Sequence, residues 1–294
     1  MLSSTAAHAA VSSAELYTSQ SYTYGRVEAR ARFAAGDGVV SSFFLWKNGS
    51  EMTGTFWNEL DFEKVGADCH LQTNALFGLP LVDHGRNEGA ALNLCNAFHT
   101  FAYEWTPDYI AWFIDGTEVR REAGDTAKAY ADNATAGMQI RFNIWPGDAS
   151  FGGNFSPSIL PVHEYIDWVQ YSTYTDGAFN VAWREDFDGT SAPTGWLVGS
   201  WASPKNLSTH SAQNVTFVDG HAVLSLTTDD AVGFKGKIPL DGQPDKNPSD
   251  SDDSGGCSVR NPHGASGRSL LFLSGLAFAA VASVRRRARR RGRP

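Results

Sequence analysis

From residue 14 to about 239 the chain alternates apolar and polar positions with a period of two, not 3.6. The run Arg26-Val27-Glu28-Ala29-Arg30-Ala31-Arg32-Phe33 alternates strictly, which predicts a strand with one wet face. Segments 41–47, 98–105, 138–145, 165–171 and 222–227 read as strands too. Residues 109–114, Asp115-Gly116 and 117–121 form a hairpin pattern with a type I′ turn, and Val218-Asp219-Gly220-His221 predicts a second turn. No segment carries a sustained amphipathic helical pattern. Many short strands separated by glycine-rich turns predict an all-β protein, a β-sandwich or jelly roll.

The pattern breaks near residue 240. Residues 240–256 hold aspartate, glycine, serine and proline with almost nothing large and apolar, which predicts a flexible acidic linker. Residues 269–284 then run without a charge, and seven arginines follow in 285–293. At 1.5 Å per residue the apolar run would span about 24 Å, slightly under a bilayer core, with the basic cluster on the cytoplasmic side. A buried core helix is the competing reading, but nothing after it could cover it. Residues 1–13 lack the basic and apolar regions of a signal peptide, although Ala7-His8-Ala9 has the small-x-small form of a cleavage site. They read as a leader remnant or a frayed terminus.

Composition narrows the class. The formal net charge is −8 even with the arginine-rich tail included, so the body is strongly acidic and rich in aromatic residues. Nucleic acid is a poor partner for such a surface, because phosphate binding needs clustered Lys and Arg. Three cysteines are too few for a disulfide scaffold and lack zinc spacing.

The densest chemistry lies in Trp57-Asn58-Glu59-Leu60-Asp61-Phe62-Glu63. On a strand, Glu59, Asp61 and Glu63 share one face while Leu60 and Phe62 point to the other. Burying the two apolar residues forces all three acids outward together. Like charges in a row are unfavourable for a purely structural strand, which leaves a catalytic set, a cation site or a solvated acidic strand. In a catalytic set, Glu59 and Glu63 leaning together would approach the separation of a retaining glycosidase pair. Repulsion among the acids would raise at least one pKa and keep a proton available near neutrality.

Glu-Leu-Asp-Phe-Glu resembles the signature of glycoside hydrolase family 16, a concanavalin-like jelly-roll family of retaining β-glucan enzymes. The form without an extra residue before the last Glu resembles lichenases (1,3-1,4-β-glucanases) and xyloglucan transglycosylases, whereas laminarinases usually insert one. The resemblance implies Glu59 as nucleophile, Glu63 as acid/base and Asp61 as assisting carboxylate. Phe187-Asp188-Gly189, Gly199-Ser200-Trp201 and the 219–227 segment look like the usual beginning of that domain. Here they follow Tyr165-Ile166-Asp167-Trp168-Val169, which looks like its end. The chain therefore resembles the circularly permuted lichenases, with residues 175–180 as the join and 182–239 inside the catalytic sandwich.

The same resemblance implies a glucan cleft lined by Glu15, Phe44, Trp46, Asn48, Gln72, Asn74, Arg141, Asn143, Trp145 and Trp201, with Trp46 standing where a Tyr is expected. It implies no cofactor for the chemistry and a structural calcium held by Asp167, Asp186 and the carbonyl of Gly220. Cys69 and Cys95 flank an expected hairpin in which residue 71 faces 93; they read as a disulfide or as two free thiols. His99 and His163 read as structural. Gly256-Cys257, the apolar run and the arginine cluster together resemble a MYXO-CTERM sorting signal, which implies Cys257 as the processing site. The expectation is an exported, monomeric endo-glucanase that is surface-anchored or secreted after tail processing. The alternatives are a 1,3-β-glucanase, a glucan transglycosylase or a glucan-binding lectin.

Overall fold

The computed structural model describes residues 10–69, 71–88, 94 and 97–241. The expected leader remnant up to residue 9, Cys95, the linker beyond 241 and the tail with Cys257 lie outside the described residues. Among those residues the strands are β1 Val11–Thr18, β2 Gly25–Arg32, β3 Val39–Trp46, β4 Trp57–Val65, β5 Leu71–Gly78, β6 Val82–Asp83, β7 Arg86–Glu88, β8 His99–Trp105, β9 Tyr109–Ile114 and β10 Thr117–Ala123. They continue as β11 Gln139–Pro146, β12 Val162–Thr175, β13 Ala178–Glu185, β14 Trp196–Val198, β15 Thr209–His210, β16 Val215–Val218 and β17 His221–Thr228. The fold is all-β.

Two antiparallel sheets account for almost all of these strands. One runs β5–β4–β3–β11–β1–β14, with β6 and β7 on the outer edge of β5. The other joins β10–β9–β8–β2–β12, and β12 then pairs with both β13 and β17. The sheets meet where the start of β1 pairs with the end of β17. Strands from the two ends of the described chain therefore share one sandwich.

Alternation decides what fills the space between the sheets. Phe43, Leu45, Leu60, Phe62, Ile140, Phe142 and Ile144 from the first sheet meet Ala29, Phe101, Tyr103 and Trp112 from the second. Phe43 stacks on Phe142 at 4.8 Å and meets Tyr103 edge-on at 4.9 Å. Aromatic pairs of this kind add about 0.5–1.5 kcal/mol beyond the area they bury.

The turns follow the sequence closely. Asp115–Gly116 and Asp219–Gly220 both hold two left-handed residues, as a type I′ hairpin demands. The expected join loop over 175–180 is tighter than expected. Thr175 already pairs with Ala178, so Asp176 and Gly177 alone make the turn. The hairpin after residue 69 differs in register: Leu71 pairs with Glu88, not residue 93, because β7 begins as early as Arg86. One short α-helix, α1 Asp125–Asp132, interrupts the all-strand pattern; it buries only Thr126, Ala127 and Tyr130, too small a stripe to register as periodicity. Among the described residues no helix is long and apolar enough to cross a membrane.

Candidate active site

Strand β4 sets the site. Leu60 and Phe62 are fully buried in the core, so Trp57, Glu59, Asp61 and Glu63 face the other way. The ladder with β3 runs without a shift from Trp46 opposite Glu59 to Val40 opposite Val65, so no bulge breaks the acid row. Cross-strand register then builds three rows of side chains on this outer face. Leu76, Glu59, Trp46 and Gln139 form the first. Asn74, Asp61, Phe44, Arg141 and Tyr17 form the second. Gln72, Glu63, Ser42, Asn143 and Glu15 form the third.

These residues face away from the core, yet Asp61, Glu15, Asn74 and Asn143 are each no more than 6% exposed. The face is therefore a groove in which side chains cover one another. Among the described residues several of its polar atoms have no hydrogen-bond partner: Asp61 Oδ2, Asn74 Oδ1, Asn143 Oδ1 and Ser42 Oγ. Buried polar atoms are normally satisfied, so a row of orphans marks a place where a polar ligand completes them. A cavity of about 300 Å³ continues the groove at the Glu63 end, between Gln72 and Asn87 on one side and Phe151 on the other.

The backbone under the acids is held from behind. Tyr130 of α1 donates its hydroxyl to the Glu59 carbonyl at 2.6 Å and to that of Leu76 at 3.0 Å. Trp112 Nε1 donates to the Asp61 carbonyl at 3.1 Å. On the groove side, Trp57 Nε1 donates to Glu59 Oε2 at 2.7 Å, and Asp61 shares a hydrogen bond with Glu59.

Burial raises all three acids. Glu59 is lifted to about 7, with the Trp57 and Asp61 hydrogen bonds and the Arg141 charge pulling the other way. Glu63 is lifted to about 8, first by burial and then by the negative charges of Glu59 and Asp83. Asp61 is held well above the carboxylate range by burial and by the two glutamates. Repulsion thus contributes as expected, but loss of water is the larger cause. Protons are therefore held on this row above the ordinary carboxylate range, and the Asp61–Glu59 hydrogen bond places one between those two.

Arg141 reaches along the groove. Its Nη1 donates to Glu15 Oε1 at 2.7 Å, and its guanidinium lies 4.7 Å from the Tyr17 ring centre and 5.9 Å from those of Trp46 and Trp201. The structure thus brings Glu15, Phe44, Trp46, Gln72, Asn74, Arg141, Asn143 and Trp201 together with the acids. Trp145 takes the same face of β11 and stacks on Phe151 at 6.0 Å. Asn48 lies past the end of β3 in an exposed turn. Sequence reasoning passed over Tyr17, Ser42, Trp57, Gln139 and Asp83. The first four were within reach of the alternation rule, each being two residues from a named one; Asp83 arrives through the β5–β6 pairing.

The remaining expected sites are less assembled. Asp167 is bound by Arg30 at 2.5 Å and Asp186 by Arg184 at 2.7 Å, and among the described residues no three acidic, His or Cys side chains gather as a metal cluster. Gly220 does approach the Asp186 carbonyl; a Cβ there would lie 3.9 Å from it. Cys69 is disulfide-bonded. His99 pairs with Asp115 and His163 with Ser225, both away from the acid row.

A groove of unpartnered polar atoms floored by three carboxylates, all held above their ordinary range, is equipped for acid–base chemistry on a polar ligand. The chain belongs to the glycosyl hydrolases family 16, whose family model matches residues 3–170. It is 36% identical over 244 residues to a beta-glucanase of Fibrobacter succinogenes, covering 79% of this chain and 68% of that one. It is 33% identical over 163 residues to a beta-glucanase of Brevibacillus brevis, covering 54% of this chain and 59% of that one. Among solved structures, the Bacillus licheniformis beta-glucanase shares 27% identity with a TM-score of 0.47, over 56% of this chain and 78% of that one.

Proposed function

We propose that this chain is an endo-acting β-glucanase that cleaves mixed-linkage 1,3-1,4-β-glucan with retention. The observation that carries the reading is the acid row of β4, lying under unpartnered polar atoms in a buried groove. Glu59, ionised first, attacks the anomeric carbon while Glu63 donates its proton to the departing sugar oxygen. Glu63, now ionised, takes a proton from water, and the resulting hydroxide displaces Glu59 from the sugar. The net change is hydrolysis of one bond with the anomeric configuration kept. Asp61 donates to Glu59 and steadies its charge.

The unbroken β3–β4 register, without the extra residue of the laminarinase form, supports the mixed-linkage reading over a 1,3-specific one. The experiment is a panel of lichenan, laminarin and xyloglucan, with the first-formed anomer followed by NMR. Oligosaccharides released from lichenan in the β form are expected. Turnover of laminarin alone, or transfer to added acceptors in place of hydrolysis, would reassign the substrate; binding without turnover would make the chain a lectin.

Three further proposals accompany this reading. A circular permutation is supported by the contrast between a 244-residue match to the Fibrobacter relative and a family match that stops at residue 170, just before the Asp176–Gly177 turn. An engineered chain cut at that turn and rejoined elsewhere should retain activity. A structural calcium at Asp167, Asp186 and Gly220 is supported by the Asp186 carbonyl beside Gly220 and opposed by Arg30, which would have to release Asp167. Export and tail anchoring suit a polymeric substrate that stays outside cells; membrane fractionation of the full chain against a Cys257→Ser variant tests them.

A further inference from the structure

Two loops flank opposite ends of the third groove row, the one that holds Glu63. Trp201 stands at the Glu15 end, where it hydrogen-bonds Glu15 and lies 5.5 Å from the Tyr17 ring. It opens a short hairpin: the His210 N–H donates to the Trp201 carbonyl at 2.9 Å, and the Ser203 N–H donates to the Ser208 carbonyl at 2.9 Å. Phe151 stands at the Gln72 end, on a loop whose residues 149–152 wall the cavity of about 300 Å³ there. Its ring stacks on Trp145, two positions along β11 from Asn143. The loop is tight. Asp148 and Phe151 exchange both main-chain hydrogen bonds at 2.9 Å, and a Cβ on Gly147 would lie 2.1 Å from the Phe151 carbonyl oxygen.

Lys205, at the hairpin tip, joins the two. Its Nζ donates to Ser150 Oγ at 2.8 Å and lies 3.8 Å from Asp148 Oδ1. The bond directions are fixed: Ser150 Oγ gives its one hydrogen to Asp148 Oδ1 and accepts from Lys205. Asp148 Oδ1 also accepts from the main-chain N–H of Ser150 at 2.8 Å and of Phe151 at 3.2 Å. The ammonium thus ends on the same carboxylate that shapes the Phe151 loop. The Ser150 hydrogen bonds, and then the Lys205 charge, hold the Asp148 carboxyl below its ordinary range. The tip is bent for this reach. Lys205 and Asn206 are both left-handed, at φ 64° and 55°. Asn tolerates that region, whereas a lysine there is uncommon and strained. Such strain persists where the surroundings over-determine it, and the Ser150–Asp148 pair is what this side chain reaches.

We propose that Lys205 is a positioning residue that fastens the Trp201 hairpin to the Phe151 loop and so makes one continuous wall along the Glu63 side of the groove. This rests on the glucanase reading. A polymer lying across the strands passes the Phe151 loop at one end and Trp201 at the other, and both must keep their places for several sugars to be held at once. The contacts of Lys205 lie in the wall and not on the acids, so its removal should loosen polymer binding and leave bond cleavage intact. The Lys205 and Asp148 side chains are 37% and 43% exposed. Their attraction is that of a surface ion pair, and it weakens as salt rises.

The test compares wild type with Lys205→Gly and Lys205→Arg on soluble mixed-linkage glucan at low and high salt. Lys205→Gly deletes the reach while relieving the left-handed backbone, so folding is not at risk. It should raise KM about two- to fivefold, the range of an exposed ion pair, with kcat within about twofold. Lys205→Arg keeps the charge and should recover most of the loss. The glucan is uncharged, so salt acts on the protein alone: wild-type KM should climb toward the Lys205→Gly value in about 1 M salt, while that of the variant stays flat. An unchanged KM in Lys205→Gly, Arg failing where Gly fails, or equal salt dependence in wild type and Lys205→Gly would overturn the proposal. Amide hydrogen exchange tests it without turnover. Lys205→Gly should speed exchange several-fold in 148–152 as well as in 203–208, and a change confined to 203–208 would overturn it. A wild type that cleaves no β-glucan would defeat the glucanase reading instead, while the exchange result still decides whether Lys205 joins the two loops.

Discussion

Three acids on one strand are equally buried and differ in their neighbours: Trp57, Asp61 and Arg141 pull Glu59 down, whereas the charges of Glu59 and Asp83 push Glu63 up. Glu59 is raised to about 7 and Glu63 to about 8, so activity should rise as Glu59 loses its proton and fall as Glu63 loses its own. The expected kcat/KM profile is a bell whose two limbs both sit well above the ordinary carboxylate range. Asp83 faces Glu63 from the β5–β6 edge, and its negative charge helps keep the Glu63 proton in place. Asp83→Asn should therefore move the alkaline limb to lower pH and leave the acidic limb nearly fixed; an unmoved alkaline limb would show that burial alone holds the proton. The raised pKa of Glu59 also bears on stability. The folded state binds this proton more tightly than the unfolded chain does, so its contribution is present in full below about pH 4.5 and is lost as pH rises through about 7. Glu59→Gln should raise the melting temperature by a few °C at pH 8, at roughly 2–4 °C per kcal/mol for a domain of this size, and change little at pH 4.5.

Strand β4 works because the elements around it leave its backbone no freedom. Phe62 sits between Phe101 and Tyr103 at 5.3 and 4.9 Å, and Phe62→Ala should cost about 3–5 kcal/mol in denaturant unfolding. Tyr130→Phe removes only the hydroxyl that holds the Glu59 and Leu76 carbonyls; it should lower kcat more than it lowers stability, checked by kinetics beside a melting curve. Period-two alternation made β4, its neighbours and the face carrying the acids readable from the residues alone, since strand geometry fixes direction once Leu60 and Phe62 are committed to the core. The α1 helix was not readable that way, because its buried stripe is one tyrosine and two small residues. Nor was the Leu71–Glu88 register, which depends on where β7 starts and not on any pattern inside β5. Asp83 stayed hidden for the same reason: it joins the site through pairing across a turn, not through spacing from the acids.

At the level of the whole molecule, the sandwich presents one sheet to the core of the other and turns its opposite face into a groove long enough to pass from β5 to β14. Residues from both ends of the described chain build that groove, Glu15 near the start and Trp201 near the end. On the proposed glucanase reading, binding across so many strands would favour an internal stretch of polymer over a chain end. The proposed calcium belongs to this scale too. Melting in calcium should exceed melting in a chelator, and Asp167→Asn should abolish the difference; equal melting temperatures would leave Arg30 as the sole cation for Asp167. The pairing of Glu59 with Glu63 is tested most directly by trapping the sugar on the protein. A 2-deoxy-2-fluoro-β-glucosyl oligosaccharide with an activated leaving group should add one glycosyl mass to the peptide holding Glu59, and Glu59→Gln should not label. A label on any other carboxylate, or inverted product with no label at all, would contradict the account.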